Sequence, residues 1–308
     1  MKIYYMLNDF LLILVKNDGN IVYDIFATSH KDLVNKYITP EDEKQKTYFK
    51  AVFVPKDGHR LDEVNEYVLR NAEVSYPHWF TSEVEKTAIN NLKNIINSMI
   101  VKGRKQLLLH EGAILAGNAV IDESKHSVIF AMYDNAHIKI VDNSSEIQRM
   151  TDESFVDKLC DNSKIEEVWG FAKIKEMRDY SKIMKIFGQA RVGKMFEHSR
   201  IAMLKGDANI MEMLDQSKAD RLKHMSKVDE MHNHSVIEEM WDWTVVEKMF
   251  DQSRINYMDE ESRVLEMFND STIEYMCGNA IVEKLYENSL VRKLEQAAKI
   301  LEKKLKEE

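Results

Sequence analysis

The chain has 308 residues, 44% of them hydrophobic and 31% charged, with a formal net charge of -9 at pH 7. This is the composition of a folded chain with a real core rather than of a disordered one, and its mild acidity argues against a general nucleic-acid binder. Cys160 and Cys277 are the only cysteines, too few for a disulfide framework or a zinc spacing and compatible with a reducing cytoplasm.

The opening MKIYYMLNDFLLILVKND lacks the basic region and cleavage site of a signal peptide. No apolar run nears the roughly 20 residues of a membrane span, so the expectation is a cytoplasmic protein without a membrane partner. Residues 1–105 read as a small α+β domain. Lys2–Leu7, Leu11–Lys16 and Ile21–Phe26 are expected strands, the last two joined by a hairpin around Asn17-Asp18-Gly19-Asn20. Tyr48–Val54 is another strand, ended by Pro55-Lys56-Asp57-Gly58, and Leu61, Val64 and Val68 suggest a short helix. After Pro77-His78-Trp79-Phe80 a longer helix is expected, with Ser82 and Glu85 as its capping box and Val84, Ala88, Leu92, Ile95 and Met99 as its apolar face. Residues 106–126, including Gly112-Ala113-Ile114-Leu115-Ala116-Gly117, lead into a region of repeats.

From Ser127 to residue 297 the chain divides without a gap into 19 units of nine residues. The first position is Ser 13 times, Ala five times and Thr once, at Thr244; the third is Ile or Val except at Ala219; the sixth is Met, Leu, Val or Ile, and Met in 11 units. A helix fails on geometry: at about 100° per residue, successive units would face opposite ways and no face could be buried. As strand, the first, third and sixth residues point inward, and the Asp-, Gly- and Asn-rich end makes a corner. One inward Ile and Met contribute about 3–6 kcal/mol, against about 1–2 kcal/mol of backbone ordering for each residue. Each unit therefore depends on its neighbours.

Nine residues are too few to close around a core, whereas two units suffice. The alternation Ser163, Ala172, Ser181, Ala190, Ser199, Ala208, Ser217 fits an 18-residue coil with two different sides. Nine or ten such coils give a rod of about 45 Å. Leu294, Ala298, Leu301 and Leu305 fall at helical spacing, so residues 298–308 are expected to finish a capping helix. The expected architecture is thus an α+β N-terminal domain, an all-β solenoid and a C-terminal helix.

Pro77, Trp79, Phe80 and Thr81 resemble the Pro-x-Trp-aromatic-Thr/Ser segment that precedes a helix in phage- and mobile-element-encoded repeat proteins. Those proteins join a short N-terminal domain to long nonapeptide runs. Asp57-Gly58-His59-Arg60 resembles the part upstream, while Ser with Met stands here in place of the Gly or Asn with Val of such repeats. The resemblance implies the coil and a phage or mobile-element origin, and no known reaction.

No residue is singled out as catalytic, cofactor-binding or metal-ligating. His224, His232 and His234, with Asp229 between them, occupy different positions of the repeat and read as surface imidazoles. The glycine pairs and regular Asp of calcium-binding β-rolls are missing. The repeated Ser read as small inward packing residues with satisfied hydroxyls. His59 and His78 lack a nucleophile or carboxylate arrangement, and Glu238 and Glu239 read as solvated. Corner aromatics are the feature that points outward: Trp169, Phe187, Phe196, Trp241, Trp243, Phe250, Phe268 and Tyr286 fall at non-core positions. Units 172–225 sum to +5 and units 226–288 to -10. Trp241, Trp243, Phe250 and Phe268 beside Asp242, Asp251 and Glu260 therefore form the candidate interaction surface. The expectation is a non-enzymatic binding or scaffold protein acting stoichiometrically on a host or viral macromolecule, including anti-defence action or nucleic-acid mimicry. Its partner is expected to be a protein or a second copy in a homo-oligomer, rather than nucleic acid as a direct ligand. The alternatives are a self-associating structural or assembly protein, and an enzyme with its site in residues 1–105.

Overall fold

The computed structural model describes residues 11–73, 75–286 and 288–304; the strand expected at Lys2–Leu7 and the tail from Leu305 lie outside them. The chain divides into two compact units, residues 1–101 with 111–114, and residues 102–110 with 115–308.

The first unit is built on an antiparallel sheet of order β2-β1-β3-β4, with β1 Leu11–Lys16, β2 Ile21–Tyr23, β3 Tyr48–Pro55 and β4 Tyr67–Asn71. Ile13, Leu14, Phe49 and Phe53 are buried in it. Strand β2 stops short of Phe26 because the Asp24 carboxylate turns the chain, accepting the Phe26 N–H at 2.9 Å. Two short helices come next, α1 (His30–Tyr37) and α2 (Pro40–Gln45), each with a capping box, Ser29 with Asp32 and Thr39 with Asp42. Val68 is extended rather than helical: a single 3-10 turn at Val64–Glu66 leads into β4, where Val68 pairs with Val54. Helix α3 (Ser82–Met99) is capped by Thr81, not Ser82, and buries Ala88, Leu92, Ile96 and Met99, so Ile96 takes the inward place expected of Ile95.

The second unit is the solenoid. Two parallel sheets of twelve strands each run through about 11 turns, a stack of about 53 Å at strand spacing. Register is set by the 18-residue coil: His137 lies beside Phe155, Lys173 beside Arg191 and Lys182 beside Arg200. Strand stacking begins before the regular repeat, with shorter steps that pair Arg104 with Val120 and Val120 with His137. The third and sixth positions of the repeat are buried as far as Leu285, as with Ile237 and Met240, Val246 and Met249, and Ile255 and Met258. Each corner is a four-residue turn, closed for example by Ser235 N–H donating to the His232 carbonyl at 3.1 Å. In every described unit the eighth residue has positive φ, whether Gly170, Asp242 or His224. That left-handed geometry favours Gly, Asn and Asp, which accounts for the polar end of the repeat.

The two sides differ at the first position. One corner stacks Ser from Ser127 through Ser289 in every coil, while the other mixes Ala, Ser and Thr. Those serines are buried, but the expected satisfaction of their hydroxyls is not found: the Oγ atoms of Ser163, Ser181, Ser199, Ser217, Ser235, Ser253 and Ser271 have no hydrogen-bond partner among the described residues.

The tail is not a capping helix. Leu290–Leu294 and Lys299–Lys304 are strands that extend the two sheets by a further coil. The nine-residue register prevails over the helical spacing because Ala298 and Ile300 fall at inward positions and Lys299 N–H donates to the Ala280 carbonyl at 3.0 Å. Lys303 occupies the sixth position beside Leu285, and Leu290, Leu294 and Leu301 are exposed. Among the described residues, no helix is long and apolar enough to cross a membrane.

Candidate interaction surface

The candidate aromatics Trp169, Phe187, Phe196, Trp241, Phe250, Phe268 and Tyr286 stand at the seventh position, partly exposed; backbone N–H groups there bond to the coil before, as in Phe250 to Met231 at 2.8 Å. Because successive units alternate between the sheets, the candidate aromatics do not form one row. Trp241 and Trp243 lie on the first corner, whereas Phe250 and Phe268 lie on the second. On the second corner His232, Phe250, Phe268 and Tyr286 stack nearly parallel, with centroids 4.8, 5.0 and 4.5 Å apart. These rings are half-buried and satisfy one another. On the first corner Trp169 stacks on Phe187 at 4.1 Å. Trp241 leans on Tyr257 at 5.1 Å, donates its Nε1–H to Glu239 at 3.1 Å and lies under the Lys223 ammonium.

The candidate carboxylates have a structural task that no spacing argument revealed. At the eighth position a side chain accepts the backbone N–H of the coil before: Asp242 from His224 at 2.8 Å, Asp251 from Asn233 at 3.3 Å and Glu260 from Asp242 at 2.8 Å. The same ladder joins Asp134 to Asp152 and Asp161 to Asp179. It satisfies a corner N–H that a left-handed turn would leave unpaired. Electrostatics track the ladder. The backbone N–H of His224 holds the Asp242 carboxyl below the usual range, while hydrogen bonding to Asp242 pushes Glu260 up. An open groove on the second corner, lined by Asp179, Tyr180, Glu197, His198, Asp215 and Gln216, belongs to this ladder: Asp179 N–H donates to Glu197 and Glu197 N–H to Asp215.

Besides Phe171, 55% exposed, the outward-facing large apolar side chains at the ninth position of the first corner are an adjacent pair. Trp243 is 63% exposed and Met225 61% exposed; they occupy the ninth position of successive coils, beside Asp242 and near Glu260 and Glu261. Sequence reasoning named Trp243 but missed Met225, because its partner in space lies 18 residues away.

The other candidates are accounted for locally. His224 lies on the first corner with Nδ1 3.0 Å from Asp242, while His232 lies on the second, 3.1 Å from Glu230. Among the described residues, no three His, Cys, Asp or Glu side chains gather into a metal-ligand set. Burial pushes the Cys160 thiol up to about 11, and Cys277 is buried, also raised by burial and hydrogen-bonded to the Tyr257 hydroxyl at 3.2 Å. Neither is disposed to act as a thiolate. His59 meets Glu63 at 2.5 Å and His78 is exposed. In the segment Pro77–Thr81, Trp79 donates its Nε1–H to the Lys46 carbonyl that ends α2, at 2.9 Å, Phe80 stacks on Tyr76 at 4.9 Å and Thr81 caps α3. These are packing roles. No protein-family model, no curated protein and no solved structure matches the chain.

Proposed function

We propose that this protein is a non-enzymatic binding or scaffold protein that engages another macromolecule through the first corner of its solenoid, around Trp243 and Met225. The supporting observation is their exposure on successive coils beside the carboxylates Asp242, Glu260 and Glu261, whereas the seventh-position rings of the second corner stack on one another. An aromatic anchor beside carboxylates suits a protein surface carrying cations: the ring supplies affinity and the acids steer the encounter. Stoichiometric action on a host or viral macromolecule, in a phage or mobile-element setting, rests on the repeat-protein resemblance. The test is the affinity of the full chain for the protein that co-purifies with it from its source cells. Trp243→Ser and Met225→Ser should each weaken that binding about tenfold or more and leave the melting temperature unchanged. Undiminished binding by both variants contradicts the proposal. Self-association is the second reading, favoured by the charge division along the same face.

A further inference from the structure

The outward positions of one sheet and the first corner divide by charge along the stack. Over the three coils from Lys182 to Met225 they carry seven Lys or Arg against two Asp. Over the next two, from Val236 to Glu261, they carry six carboxylates against Arg254. Among the described residues, no carboxylate lies within pairing distance of Lys182, Lys205, Arg221 or Lys223, whereas Arg200 is held by Asp220 at 2.6 Å and Lys185 by Glu167 at 3.3 Å. Trp243 and Met225 lie at the boundary between the blocks.

We propose that this face binds a second copy of the same chain, antiparallel, across a two-fold axis that runs along the strand direction between the coils of Lys218–Lys223 and Val236–Met240. The inference rests on the reading of the first corner as a contact surface and names its occupant. A two-fold contact is self-complementary: whatever residue i meets, that residue's copy meets i in return. Within the chain Arg221 lies beside Glu239 in neighbouring strands. The axis sets Arg221 of one copy over Glu239 of the other and closes a square of alternating charge. It also sets Lys205 over Asp259, and Met225 over Trp243 as an apolar centre. Three like-charge meetings result: Arg200 with Arg254 and Asp220 with Glu238, where Arg200 is already held by Asp220 and Glu238 by Lys218, and Asp207 with Glu261 at the corner; each is set within a net positive block that faces a net negative one. Running the copies parallel instead would place cations on cations in three successive coils, which costs several kcal/mol. The matched area, roughly 25 by 20 Å on each copy, gives about 1,000 Å² in total, enough for a specific dimer of modest affinity.

Sedimentation velocity of the full chain from about 1 to about 100 μM should show a monomer–dimer equilibrium that weakens when salt rises from about 50 to about 500 mM. Arg221→Glu or Glu239→Arg alone should raise the dimer Kd by about a hundredfold, because symmetry repeats each repulsion twice. The double variant Arg221→Glu with Glu239→Arg should recover dimerisation. An equimolar mixture of the two single variants should form the mixed dimer that neither forms with itself. A wild-type chain that stays monomeric at the highest concentration overturns the proposal, as does a dimer that both single reversals leave intact. The corner reading is tested apart from this one: a monomer whose partner binding still depends on Trp243 retains the contact surface and loses only the second copy as its occupant.

Discussion

The column of buried serines makes an unusual thermodynamic prediction. Ser217, Ser235 and Ser253 lie in consecutive coils, fully buried, and their Oγ atoms have no partner among the described residues. An unpaired buried hydroxyl costs about 1–3 kcal/mol relative to water. Ala172, Ala190 and Ala208 stand at the same repeat position on the other side, equally buried, so the corner tolerates a methyl. Truncation to Ala removes one oxygen and leaves a void smaller than a methyl group, a loss of under about 1 kcal/mol. Each Ser→Ala change should therefore stabilise by about 1 kcal/mol, and the triple variant by about 3 kcal/mol, with an increase in melting temperature of about 6–12 °C. Ser289→Ala is the control: its Oγ donates to the Met267 carbonyl at 3.2 Å, and its loss should destabilise by about 1 kcal/mol. Urea and thermal denaturation followed by far-ultraviolet circular dichroism read both. A triple variant that melts below the wild type refutes the reasoning, and shows that the serine column holds hydrogen bonds of its own.

Met249→Asp or Ile255→Asp buries an unpaired charge between coils and should cost about 4 kcal/mol or more, enough to unfold the local stack; Lys248→Asp, on the outer face, should cost under about 1 kcal/mol in denaturation midpoints. Phe250→Ser with Phe268→Ser breaks the ring stack on the second corner and should lower stability by about 1 kcal/mol for each lost pair, whereas Trp243→Ser should leave the melting temperature unchanged; equal losses contradict the division between the corners. Glu260 titrates above its ordinary value because of Asp242, so the fold favours its protonated form and stability falls as pH rises through the folded value. Glu260→Gln should therefore raise the urea midpoint at about pH 7 and bring no gain at about pH 3.5, where both forms are neutral; a gain of equal size at both would contradict that sign.

The coil was legible because a nine-residue register admits only a β reading: Ile or Val at the third position and Met at the sixth alternate with charge in a way no helix can bury. The two-sided coil was also visible, in the alternation Ser163–Ala172–Ser181, which the structure explains by an all-serine corner facing a mixed one. What the spacing hid is whatever depends on the coil above. The carboxylates Asp242, Asp251 and Glu260 looked like surface acids until their N–H partners 18 residues earlier were in place. For the same reason Trp241 and Phe250, nine residues apart, seemed to share an edge that the alternation of sheets divides. The tail misled because Leu294 and Ala298 satisfy both a helix and the repeat, and the neighbouring strand decides for the repeat, which turns Leu301 outward at a fourth position. Helices α1 and α2 are too short for an apolar period, α2 burying no residue; their signal is the capping residues alone.

Cross-linking tests the 18-residue, two-sided coil most directly. With Cys160 and Cys277 replaced by Ser, Lys182→Cys and Arg200→Cys place two thiols in register on adjacent parallel strands, with Cα atoms about 4.8 Å apart, inside the range a disulfide spans. Mild oxidation should close this bond rapidly and quantitatively in the folded chain. Lys182→Cys with Arg191→Cys, nine residues apart, places the thiols on opposite sheets, and no bond should form. Ready closure of the nine-residue pair, with none across 18, would contradict the coil and the division of its surface into two corners.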